Sequence, residues 1–409
     1  MSDEVIRPYQ RAQLFSGGGS RFGYYLGSYA ALVAHDLTPD LIIGTCGGSL
    51  SALLVQLAAE PKDLQALAYS PELYQVIKAI RHVSPDEANK RLKLRYLTQA
   101  IKRWRSSRQK GYAQHRESYQ QLLDELQQLA MFRVDNEPYW LDELLTLLPH
   151  NAQDNAKDNV QNRMKTPTPD IAIIGSRLLQ ASDSQITASQ PPQLQELLFA
   201  PKGLPLAAND ISLSLSLDRL ISPAHAFANG RIQPTVKVVT HWDTATAVRA
   251  SMADMYYLPP IHDSDLGWCL GGVINLTPIE LACQLATSVF AETKAGYDAW
   301  LAAPAIQRVF GFDPNQRLDQ VHRYVPPKYN HKHNDDDHNS NDQQNSQLHW
   351  LPLADNGQHL SGSVQKRFSL KQMTVELIHS DYDGFVQQMQ AQWHYGYQRT
   401  SHYIQQQGF

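Results

Sequence analysis

The chain has 409 residues, a formal net charge of −4, and 19% charged against 42% hydrophobic residues. That length can bury one large core or two ordinary ones, and the mild acidity argues against nucleic acid as the main partner. Its three cysteines, Cys46, Cys269 and Cys283, make no disulfide framework and fit a reducing compartment, so any special role falls to a single thiol.

The opening stretch, MSDEVIRPYQRAQ, carries acids and no apolar signal region, and no uninterrupted membrane-spanning run follows. The expectation is a soluble, cytoplasmic protein. A short apolar run, Ala12 to Phe15, enters Ser16-Gly17-Gly18-Gly19-Ser20-Arg21, and Gly23 to His35 then reads as a helix. Such a strand, glycine turn and helix expose backbone N–H groups where the helix dipole favours an oxyanion or phosphate; a plain turn is the alternative. Arg21 would anchor a phosphate, steady the loop or make a surface ion pair.

Leu41 to Ala59, LIIGTCGGSLSALLVQLAA, repeats the pattern. Gly44, Cys46 and Gly48 have the G-x-nucleophile-x-G spacing of a nucleophile elbow, in which small flanking residues let a strained turn hold one side chain above a sheet. The side chain held here is a thiol. A Gly-rich turn joining a buried strand to a helix is the other reading.

Residues 60–150 read as a helical insertion, with one apolar face at Leu94, Leu97, Ile101 and Trp104 and another at Tyr119, Leu122, Leu126 and Leu129. Lys90 to Lys110 holds nine Lys or Arg residues and no acid, which suits either a solvated helix face or peripheral attachment of 90–110 to an anionic membrane. Residues 151–169 form a polar linker. Strands are expected at Asp170 to Gly175, Thr235 to Thr240 and Cys269 to Ile274, with a helix at Thr244 to Met252 leading into the loop Tyr256 to Pro260. Residues 281–409 read as a helical C-terminal region around a disordered low-complexity loop at 330–349, with a packing helix from Phe385. The histidines and aspartates of that loop lack the spacing of a metal site. Neither a metal nor a cofactor is expected.

Four stretches in order, SGGGSR with Gly27 following, GTCGG, VRASMA followed by a Pro-Pro pair, and LGGVINLTP, resemble the patatin-like phospholipase family. The resemblance implies a three-layer α/β/α core with a mostly parallel central sheet, here from 13–59 and 170–280. It also implies acyl lipid or phospholipid substrates hydrolysed by a Ser-Asp dyad without histidine. The oxyanion or anion-binding positions would be Gly17, Gly18, Gly19, Arg21 and Gly47, with Gly44 and Gly48 framing the elbow.

The departures fall on the chemistry. Cys46 stands at the nucleophile position, Leu270 at the dyad aspartate, and Phe22 where the oxyanion loop expects glycine. Leucine cannot act as a base. A thiol at a helix N-terminus with no carboxylate beside it would be partly ionised at neutral pH. Deacylation would still lack a base. Two readings stay open: a non-classical or inactive lipid hydrolase that binds acyl lipids, and a thiol-based acyl hydrolase or acyltransferase with a substitute base. Asp254, which replaces an apolar position of the family motif, is the first candidate for that base, ahead of His262, Asp263 and Asp265. Asn275 and Pro278 are expected to shape the turn after the strand, and Cys269, next to Leu270, to face the opposite side as core.

Overall fold

The computed structural model describes residues 7–83, 119–146, 166–179, 192–201, 204, 220–299, 302–326, 347–360, 366–369, 374–377 and 381–409. The basic segment 90–110 lies outside them, as do most of the polar linker and the low-complexity loop.

Among the described residues, nine strands form one mixed sheet. In chain order its members are β1 (Tyr9–Phe15) and β2 (Leu41–Thr45), then β5 (Asp170–Leu178), β6 (Leu194–Phe199) and β7 (Lys237–Val239), then β8 (Ile261–Asp263), β9 (Gly267–Leu270), β10 (Ala286–Glu292) and β11 (Leu348–Leu351). Two small pairs, β3 (Ile80–His82) with β4 (Phe132–Val134) and β12 (Lys366–Ser369) with β13 (Thr374–Leu377), stand apart. The order β11-β10-β1-β2-β5 is parallel throughout, and β5 then pairs antiparallel with both β6 and β9.

Strand periodicity explains the layering. In β2, Leu41 and Ile43 enter one core and Ile42 the other; in β5, Ala172 and Ile174 join the first, Ile171 and Ile173 the second. A strand buried on both faces must be apolar at every position, which is why LIIGT carries no charge. Helices α1 (Gly23–Ala34) and α2 (Gly47–Leu57) and the C-terminal helix Tyr382–Gln407 cover one face, and the helices Ile279–Leu285 and Ala302–Phe310 the other. The result is the expected mostly parallel sheet between helical layers.

Three expectations need correction. The strand predicted over Cys269 to Ile274 stops at Leu270, because the Gly271–Gly272 pair opens a 3-10 turn at Gly272–Asn275. The low-complexity loop does not reach 349: Leu348–Leu351 is a strand, with His349 buried and stacked on Phe290. The region after 281 is not only helical, since β10 lies between β1 and β11 in the main sheet.

The C-terminal helix locks α1. Its Gln392 caps the α1 N-terminus by accepting the Gly23 N–H (2.8 Å) and also reaches Ser20 O (3.2 Å). The two backbones touch where both chains are glycine: a Cβ at Gly27 would fall 2.0 Å from Trp393 O, and one at Gly396 would fall 1.9 Å from Tyr24 O. Any side chain there forces the helices apart. Gly396→Val is therefore expected to cost on the order of 3 kcal/mol. A thermal melt should show a clear drop for Gly396→Val and none for Gln405→Ala on the exposed end of the same helix.

Candidate active site

Cys46 sits between β2 and α2 with φ 50° and ψ −126°, a conformation that costs a side-chain-bearing residue about 1–3 kcal/mol. Neighbouring glycine makes the turn feasible: a Cβ at Gly48 would lie 1.7 Å from Phe15 O. Hydrogen bonds hold the strained residue on several sides. The Cys46 N–H donates to Ser251 Oγ (2.8 Å), whose hydroxyl donates to Ile174 O (2.6 Å), and Cys46 O accepts from Ser49 Oγ (2.5 Å). The elbow is thereby tied to β5 and to the end of the helix Thr244–Ser251.

That tie positions Asp254. The helix Thr244–Ser251 begins at an Asp243 cap and ends at Met252, and the Gly271 N–H donates to Ala253 O (2.9 Å), stitching the exit of the helix to the glycine pair. Asp254 then lies against Gly271, where an added Cβ would come within 1.8 Å of its Oδ1. The donors that act on its carboxylate are the Cys46 thiol and the Val273 N–H, while Oδ1 is sealed from solvent with no hydrogen-bond partner among the described residues. Burial raises the Asp254 carboxyl to about 7, against those two donors, which favour its anion. Burial also pushes the Cys46 thiol well above its ordinary range. Asp254 adds to that rise, and the Gly47 N–H and Lys294 oppose it without reversing it.

The expected partly ionised thiol is thus not what the structure holds. Burial is the larger reason, and Asp254, the carboxylate absent from that expectation, adds to it. The pair is a neutral thiol beside a carboxyl group that burial raises to about 7.

The glycine loop folds over the elbow. A Cβ at Gly17 would meet Cys46 Cβ at 2.7 Å, and one at Gly47 would meet Gly19 O at 2.8 Å. The Gly17 N–H is taken by Thr45 Oγ1 (3.0 Å), so Gly17 lines the site without offering its donor. Gly18 and Gly19 have no acceptor for their N–H groups among the described residues, and the Gly47 N–H favours the Cys46 thiolate. Arg21 turns outward to Asn356 Oδ1 (2.8 Å), a contact that fastens the loop to the C-terminal region. Phe22, in place of the expected glycine, is buried in the core at the start of α1.

The other candidates separate cleanly. Leu270 is buried in the core opposite to that of Cys269, as strand alternation requires. His262 and Asp263 line a cavity of about 670 Å³ with Arg133, Trp140, Arg249 and Trp268, a set that includes neither Cys46 nor Asp254. Asp265 lies exposed in the β8–β9 turn, which Asp263 caps through the Asp265 and Leu266 N–H groups. Asn275 is structural, donating to buried Glu196 (2.9 Å).

Several neighbours of the dyad carry no motif. Tyr257 and Tyr297 feel the charges of both Cys46 and Asp254, which add to burial in raising the two phenols. Lys294 bonds to Gly17 O (2.8 Å) and pairs with buried Glu292 (2.5 Å). The one sequence signal for that pair is Glu-Thr-Lys closing the apolar strand ATSVFAE.

Among known proteins, the patatin-like phospholipase family profile matches residues 14–283. No curated protein matches the chain. Two solved structures are distantly similar. VipD from Legionella pneumophila has 13% identity and a TM-score of 0.35 over 98% of this chain and 68% of its own. The type III effector protein ExoU has 14% identity and a TM-score of 0.33 over 98% of this chain and 54% of its own, so the chain spans about half of ExoU's length. The profile covers both glycine turns, the helix that delivers Asp254 and the strand that ends at Leu270, and on that match the chain belongs to the patatin-like phospholipase family.

Proposed function

We propose that this protein is a thiol-based lipid acyl hydrolase in which Cys46 is the nucleophile and Asp254 replaces the missing dyad aspartate. The observation that carries the reading is a buried carboxylate placed beside the thiol: Asp254 Oδ1 packs on Gly271 and the Cys46 N–H on the next residue, Gly272, and each of the two groups acts on the other's proton.

Asp254 takes the thiol proton as Sγ attacks the ester carbonyl carbon. The negative charge that develops on the carbonyl oxygen faces the N–H groups of Gly18 and Gly19. Collapse breaks the C–O bond, and the departing alkoxide takes the proton from Asp254, leaving a thioester on Cys46. Asp254, again a carboxylate, then accepts a proton from water as that water attacks the thioester, and the thiol leaves with the proton returned to it. An acyl acceptor other than water would make the same site an acyltransferase.

A second reading, a pocket that binds acyl lipid without turnover, is favoured by the raised thiol and by Leu270 at the position of the family base. Peripheral attachment through 90–110 is compatible with either. Flotation with anionic liposomes that is lost in high salt would support it.

Hydrolysis of a p-nitrophenyl acyl ester separates the two main readings. Turnover should vanish in Cys46→Ala, fall about 10²- to 10⁴-fold in Asp254→Asn, and persist in Asp265→Asn. Lipid binding that survives Cys46→Ala, with no wild-type turnover, would establish the second reading instead.

The base must be ionised to act. Hydrolysis is therefore expected to rise with pH through about 7, the value to which burial raises Asp254. Stability moves the other way. A carboxyl whose folded pKa lies above its unfolded value makes the native state bind more protons between the two, so stability falls as pH rises from about 4 to about 7. Asp254→Asn should remove that slope, giving a higher melting temperature than wild type at pH 8 and a smaller difference at pH 5.

A further inference from the structure

Beyond the matched family region, at the end of β10, lies a buried charge cluster. Glu292 is 1% exposed and accepts from the hydroxyls of Tyr24 (2.6 Å) and Tyr25. The same carboxylate pairs with Lys294 Nζ (2.5 Å), whose side chain is 11% exposed, and Lys294 in turn donates to the carbonyl oxygen of Gly17 (2.8 Å). Three groups thus converge on the Glu292 carboxylate, and one of them, the Lys294 ammonium, reaches on to a peptide of the glycine loop.

We propose that Lys294 is a positioning residue for the acyl chemistry: anchored by Glu292, it clamps the Gly17 carbonyl so that the Gly18 N–H is presented to the oxyanion over Cys46. The inference rests on the thiol-hydrolase reading above and names the device that prepares its oxyanion hole. A trans peptide holds its C=O and N–H on opposite sides, so fixing one fixes the other. The Gly17–Gly18 peptide needs such a fixture. Both residues are glycine, whose backbone turns over at little steric cost, and the Gly18 N–H has no acceptor of its own among the described residues. Thr45 holds the N–H on the near side of Gly17, and Lys294 holds its carbonyl. Glu292 makes the clamp rigid and neutralises it, with two tyrosine hydroxyls from α1 completing the carboxylate's shell. The clamped residue lies against the nucleophile position: a Cβ at Gly17 would fall 2.7 Å from Cys46 Cβ and 3.4 Å from its Sγ.

The test compares two reactions of Cys46 that differ in the need for an oxyanion hole. Acylation by p-nitrophenyl butyrate passes through a tetrahedral oxyanion; alkylation by iodoacetamide is a displacement of iodide and does not. Both are followed by intact mass in wild type, Lys294→Met and Glu292→Gln, with thermal melts to establish folding. Lys294→Met is expected to slow acylation about 10²-fold, the scale of losing one oxyanion donor, while alkylation slows far less. Glu292→Gln, which keeps the lysine but frees it from its anchor, should lower the ratio of acylation to alkylation in the same direction and serves as the deciding variant if Lys294→Met does not fold. Equal slowing of both reactions, or no change in the ratio, overturns the clamp and leaves the dyad standing. Wild-type Cys46 that alkylates but never acylates overturns the hydrolase reading, and this inference with it.

Discussion

The turn at Cys46 is the constraint on which the rest depends. A side chain at positive φ is held above a sheet only if the strand before it, the helix after it and the loop across from it are all fixed, and each is fixed by a different part of the chain. Phe15 O packs into the space left by Gly48, Ser251 bridges the elbow N–H to β5, and Thr45 carries the glycine loop while donating to Leu276 O (2.9 Å). The strain at one residue is distributed over β1, β2, β5 and the segment after β9.

From that geometry the exchange of Ser-Asp for Cys-Asp acquires a physical account. The base position of the family motif is filled by Leu270, which β9 turns into the hydrophobic core, and a carboxylate arrives instead from the end of the helix Thr244–Ser251. Only a backbone with glycine at 271 leaves room for it. On the proposed reading, burial makes Asp254 a stronger base than an exposed aspartate, and the thiol stays protonated until a substrate draws the proton across. A hydroxyl needs a base to react at all. A thiol needs one chiefly to control when it does, and to activate the water that clears the acyl group.

Much of this was legible in the sequence because it is local. The two glycine turns, the elbow spacing, the doubly buried strands and the C-terminal packing helix each follow from residues within a dozen positions, and period-two alternation assigns Cys269 and Leu270 to opposite cores. Asp254 could be singled out as a charge where the family motif is apolar, but its contact with Cys46 depends on the Gly271 to Ala253 hydrogen bond, which no local pattern announces. The sense of the thiol's shift is hidden for the same reason: a helix N-terminus is visible in sequence, while the burial that dominates the shift and the carboxylate that adds to it are assembled from far along the chain. Lys294 and Glu292 lie past the motifs altogether, and their link to Gly17 exists only because β10 pairs with β1. Asp263 and His262, which rank behind Asp254 as substitute bases in the sequence, are carried by the β8–β9 hairpin to a separate cavity.

The central claim is that Cys46 carries the acyl group and Asp254 helps remove it. Time-resolved intact mass after mixing with an activated acyl ester tests both halves at once, with the Cys46→Ser, Leu270→Asp double variant as a measure of whether the pocket accepts the ester. The account predicts a transient acyl adduct on wild type, none on Cys46→Ala, and a long-lived adduct on Asp254→Asn because its deacylation has lost the base. Hydrolysis by the double variant alongside a wild type that never forms an adduct would contradict it, and would mark the natural protein as a binding scaffold that retains the family's pocket without its chemistry.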